Sequence, residues 1–323
     1  MKDRTICILG GSGFVGHHIT NRLMCDGYRI RILTRRREQH RDLLVMPDVE
    51  MQEVNVHNPA QLKEYTTDCH AIINLVSILN QSRVAGETFN DVHIKLPATI
   101  AKVCQQNNIS RVLHMSALNA DVARGHSYYL RTKGNGENII HQAAREGLNI
   151  TSFRPSVIFG PGDHFFNQFA SLLKQIPFVF PLACPQAQFA PIYVGDIAQI
   201  FATALNHKET FGKRYDLCGP RVYSLRQLVE YTADLIQVDR RIIGLGKGLS
   251  RLQARVLGMM PGKLFTYDNY LSMLTPSVCQ EDIPRLFNLK STPLETIVPG
   301  YLAEHRLRGR YPYYRQTARR KQP

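Results

Sequence analysis

Thr5-Ile6-Cys7-Ile8-Leu9-Gly10-Gly11-Ser12-Gly13-Phe14-Val15-Gly16 decides the fold. Thr5 to Leu9 is a short, continuous apolar run. Such a run predicts a strand buried on both faces rather than one with a wet side. Glycines then recur at 10, 13 and 16. From Phe14 to Cys25 the apolar residues Val15, Ile19 and Leu23 fall at helical steps, and Gly27 closes the helix. Glycines between a strand and a helix allow a tight turn, close approach of main-chain N–H groups to a pyrophosphate, and tight helix–sheet packing. The helix N-terminus adds its partial positive charge. Gly10, Gly13, Phe14, Val15 and Gly16 are therefore the candidate grip on a dinucleotide's phosphates.

The next strand, Arg29 to Leu33, discriminates between cofactors. An acid about 20 residues beyond the glycines would bind the ribose 2′-hydroxyl of NAD. Here the strand runs into Thr34-Arg35-Arg36-Arg37, and the first acid is Glu38. Guanidinium forks suit a 2′-phosphate. NADP(H) is thus the expected cofactor, with Arg35 and Arg36 as its candidate ligands and the rest of the charge run solvated.

Further along, strand and helix patterns alternate. A weaker strand covers Val49 to Val56, a helix starts at Pro59, and a strand covers Ala71 to Val76. A helix from about Val92 to Gln106, a strand from Arg111 to Met115, a helix from about Ser127 to Arg145 and a strand from Ile150 to Phe153 follow. This alternation predicts an α/β fold, a Rossmann doubly wound parallel sheet. After Pro155 the pattern loosens through Gly160-Pro161-Gly162 and a proline-punctuated stretch from Ile176 to Pro191. A helix from about Val194 to Leu205 returns to the sheet, and a smaller, mostly helical region begins near Phe211. The expected division is residues 1–157, with a returning segment near 190–206, and residues 158–323 as a substrate- or membrane-facing region.

The chain has 323 residues, 44% hydrophobic and 20% charged, which excludes collagen-like, coiled-coil and disordered classes. The longest apolar stretch, Ala71 to Leu79, falls short of the roughly 20 residues that span a bilayer. Seven scattered cysteines with no Cys-x-x-Cys pair are expected to be thiols, and no histidine spacing predicts a metal site. Met1 to Arg4 leads straight into the first strand, as expected of a cytoplasmic protein.

Charge is unevenly placed. Of the net +14, +10 lies from Arg240 onward, where fifteen Lys/Arg face five Asp/Glu. That asymmetry predicts an anionic partner. Gly244 to Phe265 contains no acid, and Leu245, Leu249, Leu252, Val256 and Met259 form a helical stripe among Lys247, Arg251, Arg255 and Lys263. Either this helix lies in a bilayer interface or it packs on its own domain. Beyond it, Arg306, Arg308, Arg310, Arg315, Arg319, Arg320 and Lys321 interleave with Tyr311, Tyr313 and Tyr314. Basic and aromatic residues together favour a membrane surface or a membrane protein complex over nucleic acid, for which no module is visible. The expected location is cytoplasmic, peripheral on the inner face of the cytoplasmic membrane.

Catalytic chemistry is suggested by Tyr129-Leu130-Arg131-Thr132-Lys133, which sets a phenol and an ammonium four apart on one helix face. A neighbouring cation is expected to pull the Tyr129 phenol well below its usual pKa near 10, fitting it for acid–base work. Ser116, at a strand end, is placed to bond a reacting carbonyl oxygen. Phe165, Phe166, Phe169, Leu172 and the stretch Phe178 to Leu182 either line an apolar substrate site or form ordinary core.

Together these residues resemble the short-chain dehydrogenase/reductase superfamily in its extended or atypical branch. More narrowly the chain is similar to the accessory NADPH-binding subunits of respiratory complex I and their bacterial relatives. The likeness is carried by Gly10 to Gly16, Asn74-Leu75-Val76, Ser116 to Ala120, Tyr129 to Lys133 with Gly136-Glu137, Pro155 to Gly160 with Asp163, and Pro191 to Asp196. It covers about two thirds of the chain. It implies that Asn55 and Val56 lie beside the adenine and that Val76 and Ser77 lie beside the ribose or nicotinamide. Lys133 would hold the nicotinamide ribose, and Pro155, Ser156 and Val157 would flank the nicotinamide. Ser116, Tyr129 and Lys133 would carry catalysis. Two departures argue against a sugar-nucleotide substrate: Ser116 and Tyr129 are only 13 apart, and His93 stands where the branch often has Asn. Two roles follow. One is a reductase of an apolar carbonyl- or quinone-type substrate near a membrane. The other is a non-catalytic NADPH-holding subunit or assembly factor of a respiratory or quinone-pathway membrane complex.

Overall fold

The computed structural model describes residues 4–81 and 88–303. Among them, seven strands form one parallel sheet: β1 (Thr5–Leu9), β2 (Arg29–Thr34), β3 (Val49–Glu53), β4 (Cys69–Asn74), β5 (Arg111–Met115), β6 (Asn149–Pro155) and a seventh strand, Arg214–Leu217. Across the sheet the order is seventh strand, β6, β5, β4, β1, β2, β3. β1 lies inside the sheet, with Cys7 paired to Arg31 of β2 on one side and Ile72 of β4 on the other. The chain therefore builds outward from β1 in one direction, then jumps back and builds in the other. At such a reversal the connections above the carboxyl ends diverge, leaving a crevice between β1 and β4.

Alternation along β1 explains its unbroken apolar sequence. Ile6 and Ile8 join a core with Ile19 and Leu23 of α1 (Phe14–Cys25) and with Ile197 and Phe201 of the helix Val194–Asn206. Cys7 and Leu9 face the opposite core, with Leu62 of α3 (Pro59–Glu64), Ile100 of α4 (Leu96–Gln106) and Ile140 of α5 (Tyr128–Gln142). The intervening α2 is a single turn, Arg41–Leu44. Each buried Ile or Leu contributes on the order of 1.5–3 kcal/mol relative to exposure, so both faces anchor the strand that ends at the glycine turn.

The C-terminal region differs from expectation in two ways and decides between two open readings in a third. First, Arg214–Leu217 extends the sheet beside β6, with Tyr215 opposite Phe153. Second, Cys218 and Cys279 form a disulfide, with Cα atoms 5.9 Å apart, where seven thiols were expected. The fold brings the end of the seventh strand against residues 276–279, a segment tied down by Asn119 Nδ2 to the Pro276 carbonyl and Ser156 Oγ to the Ser277 carbonyl. Sequence spacing of 61 residues gives no sign of that meeting. Third, Phe166, Phe180 and Leu182 are buried in a separate core with Phe159, Leu228 and Val298, and Phe165, Phe169 and Leu172 pack against it. These residues take the core alternative, whereas Phe178 is 84% exposed and Val179 41%.

Candidate active site

The glycine turn is shaped by contacts that a side chain would break. Gly10 has φ +77°, and a Cβ there would come within 3.2 Å of the Leu75 and Val76 backbone. At Gly16 a Cβ would lie 2.5 Å from the Gly10 and Gly11 carbonyls, so only glycine lets α1 start this close to β1. Gly13 is the N-cap of α1, with no side-chain cap and no acid in the first turn. The first-turn amides and the helix dipole are thus left to receive an anion.

In front of this turn lies a cleft of about 250 Å³. Of the sequence candidates, Gly10, Gly13, Arg35, Val56, Val76 and Ser77 line it. Ser12, Leu33, Thr34, Val54, His57, Leu75, Ile78 and Val92 complete the walls. A turn of bare amides, an arginine at the far edge and apolar flanks between them fit a nicotinamide dinucleotide. His57 was not foreseen; burial lowers its pKa, with Asp91 opposing and Arg35 adding to the depression. Other candidates lie outside the walls. Phe14, Val15 and Gly16 open α1 behind the turn. Arg36 is exposed, and the Asn55 side chain accepts from the His57 amide. Pro155 ends β6 and Ser156 and Val157 follow it, where the Ser156 hydroxyl is bonded to Ser277.

Ser116, Tyr129 and Lys133 do not line this cleft; Tyr129 is joined to its wall by a hydrogen bond with Ser77. α4 is preceded by a wider π-helical turn, Asn90–Lys95, of the kind often found at functional sites. It carries His93, which is 2% exposed. The Ile78 amide donates to His93 Nε2 at 3.3 Å, and Ser77 Oγ lies 3.2 Å from the same nitrogen. Nε2 is therefore the acceptor, and Nδ1 carries the proton it donates to Thr132 Oγ1 at 3.1 Å. Burial and the nearby Lys133 charge push the imidazole pKa down to about 2, so His93 is a neutral brace. Its ring meets that of Tyr129 edge-on at 5.4 Å.

Tyr129 and Lys133 share one face of α5, but not in the relation expected. Burial raises the Tyr129 phenol above its ordinary value, a hydrogen bond with Ser77 works against this, and the Asp268 charge adds to it. The expected depression by Lys133 is not found, since burial dominates at the phenol; the ammonium donates to the Met115 carbonyl at 2.7 Å. Burial brings Lys133 down to about 8, opposed by the Glu137 carboxylate. Next to Met115, Ser116 is 3% exposed and its Oγ has no hydrogen-bond partner among the described residues. A buried hydroxyl without a partner is rare and calls for one. Among the described residues no cluster of metal-ligating side chains occurs.

A family model described as the NAD dependent epimerase/dehydratase family matches residues 6–218. The chain is 26% identical over 313 residues to NADH dehydrogenase [ubiquinone] 1 alpha subcomplex subunit 9, mitochondrial, of Rattus norvegicus, covering 93% of this chain and 80% of that protein. It is 28% identical over 196 residues to a ceramide reductase of Caulobacter vibrioides, covering 60% of this chain and 58% of that one. The crystal structure of DesIV, a dTDP-glucose 4,6-dehydratase from Streptomyces venezuelae with NAD and TYD bound, superposes with a TM-score of 0.65 at 18% identity, over 76% of this chain and 85% of that one.

Proposed function

This chain belongs to the NAD dependent epimerase/dehydratase family, and from that premise we propose that it is an NADP(H)-dependent reductase of an apolar carbonyl- or quinone-type substrate. The observation that carries this reading is the buried, unpartnered Ser116 hydroxyl beside the anchored Lys133. When bound, the nicotinamide supplies the hydride. Ser116 Oγ donates to the substrate carbonyl oxygen and holds it. Tyr129, kept as a phenol by its raised pKa, gives its proton to that oxygen as the carbon is reduced, leaving an alcohol. Lys133, charged below about 8, binds the ribose and favours the phenolate left behind. Arg35 and Arg36 select the phosphorylated cofactor.

A second reading is favoured by a different observation, the likeness to the rat complex I subunit along 93% of the chain. In it, NADPH is held without turnover and stabilises a subunit or assembly factor of a membrane complex by mass action. One experiment separates the two. The protein is loaded with NADPH and offered a panel of quinones and long-chain ketones while cofactor absorbance is followed. Oxidation with any of them supports the reductase. Cofactor that binds but is never oxidised leaves the holding role.

A further inference from the structure

The helix Lys247–Met259 is inside out. An amphipathic helix on a globular protein ordinarily turns its apolar stripe to the core. Here the helix packs through its small residues, with Ser250 and Ala254 buried. The stripe faces outward: Leu249 is 58% exposed, Leu252 56%, Val256 48% and Met259 80%. Met260 and Leu264 extend the exposed apolar surface past the helix end. The Ser250 hydroxyl, which accepts from the Cys184 amide and donates to the Leu245 carbonyl, shows that this orientation is fixed by bonds.

Charge around the stripe has one sign. Lys247, Arg251 and Arg255 are exposed on the same helix, and both guanidinium groups lie 5.5 Å from the Tyr267 ring centroid. Lys263 does not join them, since its Nζ donates to the Gln81 carbonyl. No acid occurs from Gly244 to Phe265, and the next one, Asp268, is turned inward to accept from the Tyr128 and Tyr129 amides. An apolar stripe on a segment that carries cations and no acid is complementary to an anionic lipid surface, with hydrocarbon under the stripe and headgroups on the cations. It repels a second copy of itself. It equally repels the chain's own residues 304–323, which hold seven Lys/Arg and one acid.

We propose that Leu249, Leu252, Val256 and Met259, with Lys247, Arg251 and Arg255, dock the protein on an anionic bilayer. The docked helix ends at the candidate site. Gly258 and Lys263 help to wall a cavity of about 170 Å³ that also touches Phe89. The Phe89 ring centroid lies 5.9 Å from that of Tyr129. Docking thus sets the lipid beside the phenol, the place an apolar substrate would enter if the reductase reading holds; the docking itself rests on exposure and charge, not on turnover.

Flotation of the full chain with vesicles tests it. The wild type is expected to float with phosphatidylcholine vesicles containing phosphatidylglycerol, less so in high salt, and poorly with phosphatidylcholine alone. The surface variant Leu252→Ser/Val256→Ser/Met259→Ser should lose roughly tenfold or more in vesicle affinity while binding NADPH like the wild type. Arg251→Gln/Arg255→Gln should float weakly and lose the salt dependence. Wild type that stays at the bottom of the gradient overturns the proposal. So does a triple serine variant that floats unchanged, which would assign binding to residues 304–323. A face that mediates self-association in size exclusion without flotation overturns it too. Loss of NADPH oxidation with flotation intact strikes only the reductase reading.

Discussion

The Lys133 ammonium is fastened to the Met115 carbonyl at 2.7 Å in a site that leaves the lysine 2% exposed. The bond ties α5 to the carboxyl end of β5, one residue before Ser116. Holding a charge there has a cost, visible in the lysine's depressed pKa, and the anchor is what places the ammonium under the cofactor ribose in the proposed reaction.

That cost gives a stability profile. Lys133 titrates near 8 in the folded chain and near 10.5 when unfolded. Between those values the unfolded chain holds a proton that the folded chain has released. Unfolding then takes up a proton, and stability rises with pH. Lys133→Met removes the effect. Urea unfolding at several pH values should show wild type gaining on the variant from about pH 8 to 10.5, by up to roughly 3 kcal/mol. A difference that stays flat across this window would falsify the assignment.

Glu137 is fully buried one turn from Lys133 and gathers two arginines. Arg154 donates to both of its oxygens at 2.6 to 3.1 Å, and Arg214 lies at 2.5 Å. Removing one partner of a fully buried ion pair costs about 3–5 kcal/mol. Both guanidinium groups reach solvent here, so Glu137→Gln is expected to cost about 2–3 kcal/mol. The urea midpoint reads it, and a midpoint within experimental scatter of wild type would show that the cluster contributes nothing net.

How far these features were legible from sequence follows from their range. The strands β1 to β6 and the glycine turn were readable because each is a local pattern, a short apolar run or glycines at a fixed spacing. The seventh strand was not: Arg214–Leu217 is four residues long and mostly half-buried or exposed, and only pairing with β6 makes it a strand. The Tyr129/Lys133 spacing correctly put both residues on one helix face, yet the lysine's partner is a carbonyl 18 residues away that no spacing reveals. Likewise the stripe on Lys247–Met259 was visible, but its direction depended on which neighbours Ser250 would bond.

Cofactor choice is tested at the end of β2. Arg35→Ala/Arg36→Ala removes the guanidinium groups proposed to take the 2′-phosphate. Charge-assisted hydrogen bonds of about 1.5–3 kcal/mol correspond to a Kd for NADPH raised roughly 10- to 100-fold, with NADH changed less than about threefold. Calorimetric titration with both cofactors decides it. Equal losses for the two would mean that the arginines serve the turn and not the phosphate.

Packing behind the site is tested at Gly136, where α5 crosses the π-helical turn. A Cβ there would sit 1.7 Å from the His93 carbonyl oxygen. Gly136→Ala must therefore push the two elements apart, at about 1–3 kcal/mol. Because His93 braces Ser77 and the Ile78 amide, the shift should also lower turnover in the loaded protein. A variant with wild-type melting temperature would show that the elements separate freely.

Tyr129→Phe isolates the proton. The ring and its contacts with Phe89 and His93 persist, and only the hydroxyl held by Ser77 is lost. General acid catalysis contributes about 10²- to 10⁴-fold. With whichever substrate the panel identifies, kcat should fall within that range while the Kd for NADPH stays within about twofold, since no cofactor contact is assigned to the phenol. The same raised pKa that keeps Tyr129 protonated predicts no loss of rate from its ionisation up to about pH 10. Any decline above pH 8 then belongs to Lys133 and should track the lysine's own titration. A Phe variant that reduces substrate at the wild-type rate would remove Tyr129 from the chemistry and leave Ser116 or water as the proton source.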